Sequence, residues 1–122
     1  MKKLFSLILF ILFSQTIFCQ ESNCSNFKTG KFLYKCDGLP DIIVTRTETE
    51  QFEIVKDSNQ KYQETIEWIS DCSYKLTYIK APFESLIGKS LIVELFDVKN
   101  NFARGKASFG EQTLEFFVEK SE

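Results

Sequence analysis

Residues 61–80 of the chain read KYQETIEWISDCSYKLTYIK, and the fold class follows from their pattern. Tyr62, Ile66 and Trp68 alternate with polar residues, and the alternation resumes after a short turn at 70–71. A period of two residues is typical of strands that bury one face. The stretch therefore predicts a β-hairpin. Because an isolated hairpin is only marginally stable in water, this one must be the middle of a larger sheet.

Further short strands, separated by polar turns, are predicted on both sides of this hairpin. They cover residues 31–35, 41–47, 51–56, 90–98, 102–109 and 113–119. In the third of the predicted strands we expect Phe52 and Ile54 to face the core. About eight short strands joined by tight turns predict an all-β antiparallel meander. We expect a small up-and-down barrel with one short helix, because closure removes exposed edges, and a β-sandwich is the alternative.

Two later segments depart from simple alternation. Pro82 and Gly88 bracket a stretch that predicts one or two helical turns, which would form a plug over one end of the sheet. The strand from Ser90 to Val98 is apolar on both faces, so both faces should be covered. The short helix or a partner chain, such as a protein of the cell envelope, would cover the outer face.

The first 19 residues predict a secretory signal peptide. Two lysines precede an apolar run at 4–13, which is shorter than the roughly 20 residues of a membrane-spanning helix. Cleavage after Cys19 would leave one domain, residues 20–122, in a secreted or periplasmic protein. In the alternative, Cys19 carries a lipid anchor that tethers the protein to a membrane.

The overall composition argues against several classes of function. The chain has 15 basic and 17 acidic residues, a formal net charge of −2, which is the wrong sign for binding nucleic acid or anionic lipid. It contains no histidine, so nucleophiles activated by histidine and histidine-ligated metals are excluded. We therefore expect no catalytic residues, no cofactor and no metal site.

Three cysteines follow the predicted signal peptide, and export implies an oxidising compartment in which disulfides form. We expect a Cys24–Cys72 disulfide. Cys72 has the inward parity of Tyr74 and Leu76, while Cys24 lies just before the first strand, where the chain end needs tying down. A Cys36–Cys72 disulfide is the alternative.

Two charged residues have the parity of core residues in their own strands. Arg46 shares a face with Ile42 and Val44, and Glu64 shares a face with Ile66. An inward charge must be paired or near water. Either Arg46 is ion-paired or stacked at one end of the barrel, or both residues hold the polar end of a ligand. The cavity would then be lined by aromatic residues that otherwise simply pack the core: Tyr62, Trp68, Tyr74 and Tyr78.

Three stretches carry a resemblance to a known family: NCSNFKTGKF at 23–32, RTETEQ at 46–51 and IEWISDCSYKL at 66–76. They resemble a family of small exported proteins of Bacteroidetes-type bacteria that has no established activity. Members are sometimes labelled DNA topoisomerase IV, but this chain has neither an ATP-binding loop nor a basic surface. The resemblance supports the pairing of Cys24 with Cys72 and implies no catalytic residues.

The strand rhythm is also similar to that of the lipocalin superfamily, although the first strand lacks a Gly-x-Trp. This resemblance implies an exported, non-catalytic, lipocalin-like protein that binds a small amphipathic ligand or a partner. The alternative is a structural or interaction protein of the cell envelope with a filled core, which makes contact through the strand from Ser90 to Val98.

Overall fold

The computed structural model describes residues 23–121. The predicted signal peptide, its cleavage site and Cys19 lie outside the described residues. Within them, eight antiparallel strands form a closed barrel in sequence order. The strands are β1 (Gly30–Lys35), β2 (Ile42–Arg46), β3 (Glu50–Val55), β4 (Lys61–Trp68), β5 (Ser73–Lys80), β6 (Ser90–Lys99), β7 (Phe102–Phe109) and β8 (Gln112–Lys120).

The predicted all-β meander is confirmed, and its first and last strands join. Phe32 of β1 lies opposite Lys120 of β8, and Lys35 lies opposite Phe117, so the sheet closes as a lipocalin-like barrel rather than splitting into a sandwich. Between residues 23 and 121, helix is confined to two short 3-10 turns, Ser25–Phe27 and Glu84–Leu86. In the described part of the chain, no helix has the length and apolar character that crossing a bilayer would require.

One end of the barrel, here called the closed end, is covered by the segment that precedes β1. Phe27 is fully buried there. The predicted disulfide between Cys24 and Cys72 is confirmed and ties this segment to the turn between β4 and β5. Cys36 is free because it follows β1 at the other end of the barrel, so the alternative pairing with Cys72 is wrong. A disulfide indicates an oxidising environment outside the cytosol.

The opposite end, here called the open end, carries the turn in which a short helix was predicted. This helix is a single 3-10 turn, Glu84–Leu86, and none of its residues is buried. The flanking Phe83 and Ile87 are 54% and 45% exposed. The turn therefore does not plug the barrel as the sequence suggested.

Strand β3 has the reverse of its predicted orientation. Phe52 and Ile54 are about two-fifths exposed, whereas Gln51 is fully buried and Glu53 faces the interior. The cause is the register of the β2–β3 hairpin, which places Gln51 directly opposite the buried Arg46. Directly opposed residues share one face, so Gln51 turns inward with Arg46 and takes the alternate residue Glu53 with it.

Strand β6 pairs regularly with β7 as far as Phe96. Val93 and Leu95 are buried as predicted, and Ile92 is half-buried on the outer face. Asp97 has a left-handed φ of 50°, and the pairing with β7 is irregular beside it. This bulge reverses the alternation, so Val98, which in a regular strand would share the outer face with Ile92, packs against the core.

Candidate ligand-binding site

The barrel contains a cavity of about 190 Å³ at the open end. This is smaller than the roughly 300–1,000 Å³ typical of sites for drug-sized ligands. Its walls are mostly apolar and come from strands on all sides of the barrel: Ile42, Leu76, Leu91, Val93, Ala107, Leu114 and Phe116. Four polar residues line its interior: Tyr34, Gln51, Glu53 and Tyr78. Lys35, Cys36 and the exposed Leu39 lie at its mouth.

Arg46 lies between this cavity and the closed end and is 2% exposed. Its Nε and Nη2 atoms donate to Gln51 Oε1 at 2.9 and 2.7 Å, and Nη1 donates to the carbonyl oxygen of Phe27 at 2.6 Å. The guanidinium also stacks on the rings of Phe32 and Tyr74, each 4.7 Å away. Arg46 therefore holds the closing segment, β3 and the core together.

Two tyrosine hydroxyls complete the surroundings of the guanidinium. Arg46 Nη2 donates to the hydroxyl oxygens of Tyr34 and Tyr74, the latter at 3.1 Å, and these two oxygens lie 2.9 Å apart. Burial raises the pKa of Tyr34 well above its usual value, so its hydroxyl is neutral at physiological pH. The acceptors around Arg46 are thus a side-chain amide, a backbone carbonyl and two tyrosine hydroxyls, and no described carboxylate forms an ion pair with it.

Three buried polar atoms have no hydrogen-bond partner among the described residues. They are Gln51 Nε2 and both carboxylate oxygens of Glu64, a residue with no exposed surface. Gln51 lies directly opposite Glu64, which lies directly opposite Tyr78, so the three residues form one row across β3, β4 and β5. Because buried polar groups in native proteins are nearly always hydrogen-bonded, these atoms are candidates for ligand contacts.

Glu53 adds a second carboxyl group to the same region. Burial raises the pKa of Glu53 to about 7, against the opposing influence of the Gln51 amide and the Arg46 charge. Burial also raises the pKa of Tyr78 to about 12, and the Glu53 charge adds to that rise. Both residues line the cavity, so its wall contains an acid that changes charge near neutral pH.

The six residues predicted for the ligand site are spread along the barrel. Tyr62 and Tyr78 lie near the open end with ring centroids 6.0 Å apart, and Tyr78 lines the cavity. Trp68 lies at the closed end, half-buried, with its ring centroid 4.7 Å from that of Tyr74 and Lys28 Nζ 3.3 Å above it.

The remaining three predicted residues lie between these two groups. Arg46 and Glu64 both point inward, as their parity indicated, and Tyr74 is fully buried. The structure brings Arg46 into contact with Tyr74 but pairs it with Gln51 rather than with Glu64. Of the alternatives predicted for Arg46, an ion pair or a stacked side chain, the structure contains the stacked one, on Phe32 and Tyr74.

Sequence reasoning missed Gln51, Glu53 and the tyrosine hydroxyl of Tyr34. A signal for the first two was present, because a tight turn after an inward Arg46 places Gln51 on the same face. The hydroxyl of Tyr34 gave no such signal, since its contact with Arg46 depends on how far each side chain reaches across the barrel.

Cys24, Asp71 and Cys72 have the spacing of metal ligands, because their sulfur and carboxylate oxygen atoms lie within 4.8 Å of one another. Both sulfurs are joined in the disulfide, so they are not available as thiolate ligands. Comparison of the chain with protein-family models, curated proteins and solved structures finds no match.

Proposed function

We propose that this protein is an exported, non-catalytic binding protein that holds a small amphipathic ligand in the open end of its barrel. One observation carries the proposal: Gln51, which lines an apolar cavity, has a buried Nε2 atom without a partner, and the unpartnered carboxyl group of Glu64 belongs to the residue directly opposite Gln51. Leaving such groups unsatisfied costs about 1–3 kcal/mol each, so a ligand that bonds to them would gain affinity.

The arrangement of polar and apolar groups supports an amphipathic ligand. Gln51 and Glu53 lie on one side of the cavity, whereas Leu91, Val93 and Phe116 supply apolar surface from other strands. A ligand with one polar end could bond to the first group and bury its apolar body against the second. Small-molecule sites commonly combine apolar walls with a few placed polar groups in this way.

The proposed location is secreted or periplasmic. The disulfide and the predicted signal peptide support it, and lipidation of Cys19 would change only the attachment to a membrane. The proposal includes no nucleic-acid partner, no cofactor and no membrane contact of the domain itself.

Native mass spectrometry of the protein purified from its own cells tests this function. We expect one small molecule per chain, released on denaturation. Ala107 lines the cavity, so Ala107→Phe should fill part of it and remove the bound mass. Ser108→Phe, a neighbouring change of similar size on the other face of β7, should retain it. A ligand-free natural protein, or full retention in Ala107→Phe, would contradict the proposal.

The second candidate is a structural or interaction protein of the cell envelope. Apolar side chains on the outer face of β2 and β3 favour it: Ile43, Phe52 and Ile54 are all about two-fifths exposed, and Ile43 lies opposite Ile54. The strand from Ser90 to Val98 remains a candidate contact surface. Its outward-facing residue Ile92 is half-buried, so it offers less exposed apolar surface than β2 and β3 do. A ligand-free oligomer in the same experiment would favour this candidate.

A further inference from the structure

We infer that the polar end of the ligand is a small cation, an alkyl- or arylammonium group, held beside Glu53 in the cavity wall. This inference rests on the proposed function and specifies the ligand class for the same site. It comes from an imbalance in the barrel interior: Glu53 lines the cavity and both oxygens of Glu64 lack partners, whereas the single buried cation of the described residues already has an acceptor for each of its nitrogens.

That buried cation is Arg46, and its nitrogens are all occupied. Nε, Nη1 and Nη2 donate to the Gln51 side chain, the Phe27 carbonyl oxygen and the two tyrosine hydroxyls. The contact with the Phe27 carbonyl oxygen holds the guanidinium toward the closed end. Arg46 does not line the cavity and each of its nitrogens already donates a hydrogen bond, so it offers little to an anionic ligand there.

Glu53 and Glu64 differ from Arg46 in that their side chains can accept hydrogen bonds from a ligand. Neither carboxyl oxygen of Glu64 has a hydrogen-bond partner among the described residues. Glu53 lines the cavity from β3. Gln51, on the same strand and directly opposite Glu64, has an amide nitrogen without a hydrogen-bond partner. An ammonium group supplies three donors and a positive charge, which matches acceptors of this kind.

The remaining contacts favour a short apolar body next to that cation. The cavity volume of about 190 Å³ is well below the range for drug-sized ligands, and Leu76, Leu91, Val93 and Phe116 surround it. A neutral hydroxyl or carbonyl beside the amine could in addition accept from Gln51 Nε2. A carboxylate in the same place would face the carboxyl group of Glu53.

Affinity should also depend on pH, because an ammonium group prefers an ionised Glu53. The titratable and charged groups that face Glu53 are Tyr34, Arg46, Tyr62, Glu64 and Tyr78, with Lys35 at the mouth. Burial raises the pKa of Glu53 to about 7, and it raises the pKa of Tyr34 and of Tyr78 beyond the physiological range. Amine affinity should therefore rise from slightly acidic to slightly basic pH.

The test is isothermal titration calorimetry of the ligand-stripped exported protein with hexylamine, 1-hexanol and hexanoate, three probes with the same alkyl chain. Near pH 8 we expect hexylamine to bind at least about ten-fold more tightly than hexanol, the ratio supplied by one charge-assisted hydrogen bond, and hexanoate to bind more weakly than both. Near pH 6 the preference for hexylamine should shrink. Glu53→Gln should remove most of this preference, and Glu67→Gln, an exposed change on the outer face of β4, should alter the affinity of neither hexylamine nor hexanol.

Each outcome separates the inference from the proposed function. Hexanol or hexanoate binding as tightly as hexylamine to the unmodified protein would overturn the cation assignment while leaving a ligand-binding barrel in place. A ligand recovered from the natural protein that lacks a basic nitrogen would do the same. Amine binding that is indifferent to Glu53→Gln would overturn the assigned position. If no probe binds and the natural protein contains no ligand, the proposed function itself fails.

Discussion

Replacement of Glu53 with glutamine should change how the stability of the ligand-free barrel depends on pH. Burial raises the pKa of Glu53 to about 7 in the folded protein, whereas an exposed glutamate has its ordinary value of 4.5. Between these two pH values the folded state retains a proton that the unfolded chain has released. The folded state is then favoured by protonation, so its stability falls as the pH rises from 4.5 to 7 and levels off above that.

The size of the effect follows from the difference between the two pKa values. At 1.36 kcal/mol per pKa unit, a rise from 4.5 to about 7 corresponds to about 3 kcal/mol of unfolding free energy lost across this pH range. Glutamine has nearly the shape of the protonated acid and does not ionise. The difference in unfolding free energy between the parent protein and Glu53→Gln should therefore fall by that amount as the pH rises.

Urea denaturation at several pH values, followed by the fluorescence of Trp68, measures this difference. The indole is half-buried against Tyr74, so unfolding should change its emission. Glu67→Gln, which removes an exposed carboxylate from the same sheet, is the matched control and should show no comparable trend. A parent-minus-variant difference for Glu53→Gln that stays constant from pH 5 to 8 would refute the burial argument.

Three further changes test the framework around the cavity. Replacing both Cys24 and Cys72 with serine should lower the unfolding free energy by about 4 kcal/mol, because the disulfide joins residues 48 apart in sequence; equal urea midpoints with and without reductant would contradict this. Arg46→Met should lower it by about 3–5 kcal/mol by leaving buried acceptors unsatisfied, and a loss below about 1 kcal/mol in the same assay would show that the hydrogen bonds contribute little. Gly105→Ala should lower it by about 1–3 kcal/mol, because the added Cβ would lie 2.6 Å from Cε2 of Phe116; an unchanged thermal midpoint would mean that the ring moves freely.

The architecture could be predicted because local signals agree along most of the chain. The alternation at 61–80 and the polar turns that separate the strands specify hairpins between sequence neighbours, and seven of the eight strand pairings in the barrel are of this kind. The inward parity of Cys72 likewise led to the correct disulfide. The closure of β1 on β8 was expected only from the general tendency of sheets to avoid free edges.

The site was less predictable because hydrophobicity misleads on β3. Phe52 and Ile54 look like core residues, yet the turn after Arg46 determines the register: the Thr47 N–H donates to the Glu50 carbonyl oxygen at 2.9 Å. With only one turn between the strands, a shift of one residue would exchange the two faces of β3. The polar residues turned inward by this register are those that give the cavity its chemistry, so tertiary context overrides the apolar pattern where the ligand would bind.

The pairing of β1 with β8 has a consequence for engineering. Lys120 Nζ donates to the Asn26 carbonyl oxygen at 2.7 Å, and Ser121 N donates to the Lys31 carbonyl oxygen at 2.8 Å, so the two extremities of the described chain run side by side. A short glycine-serine bridge between them would permit circular permutation, with fresh termini introduced at the Gly110 hairpin. Such a permutant would retain every strand pairing and would offer an attachment point for a reporter beside the cavity mouth.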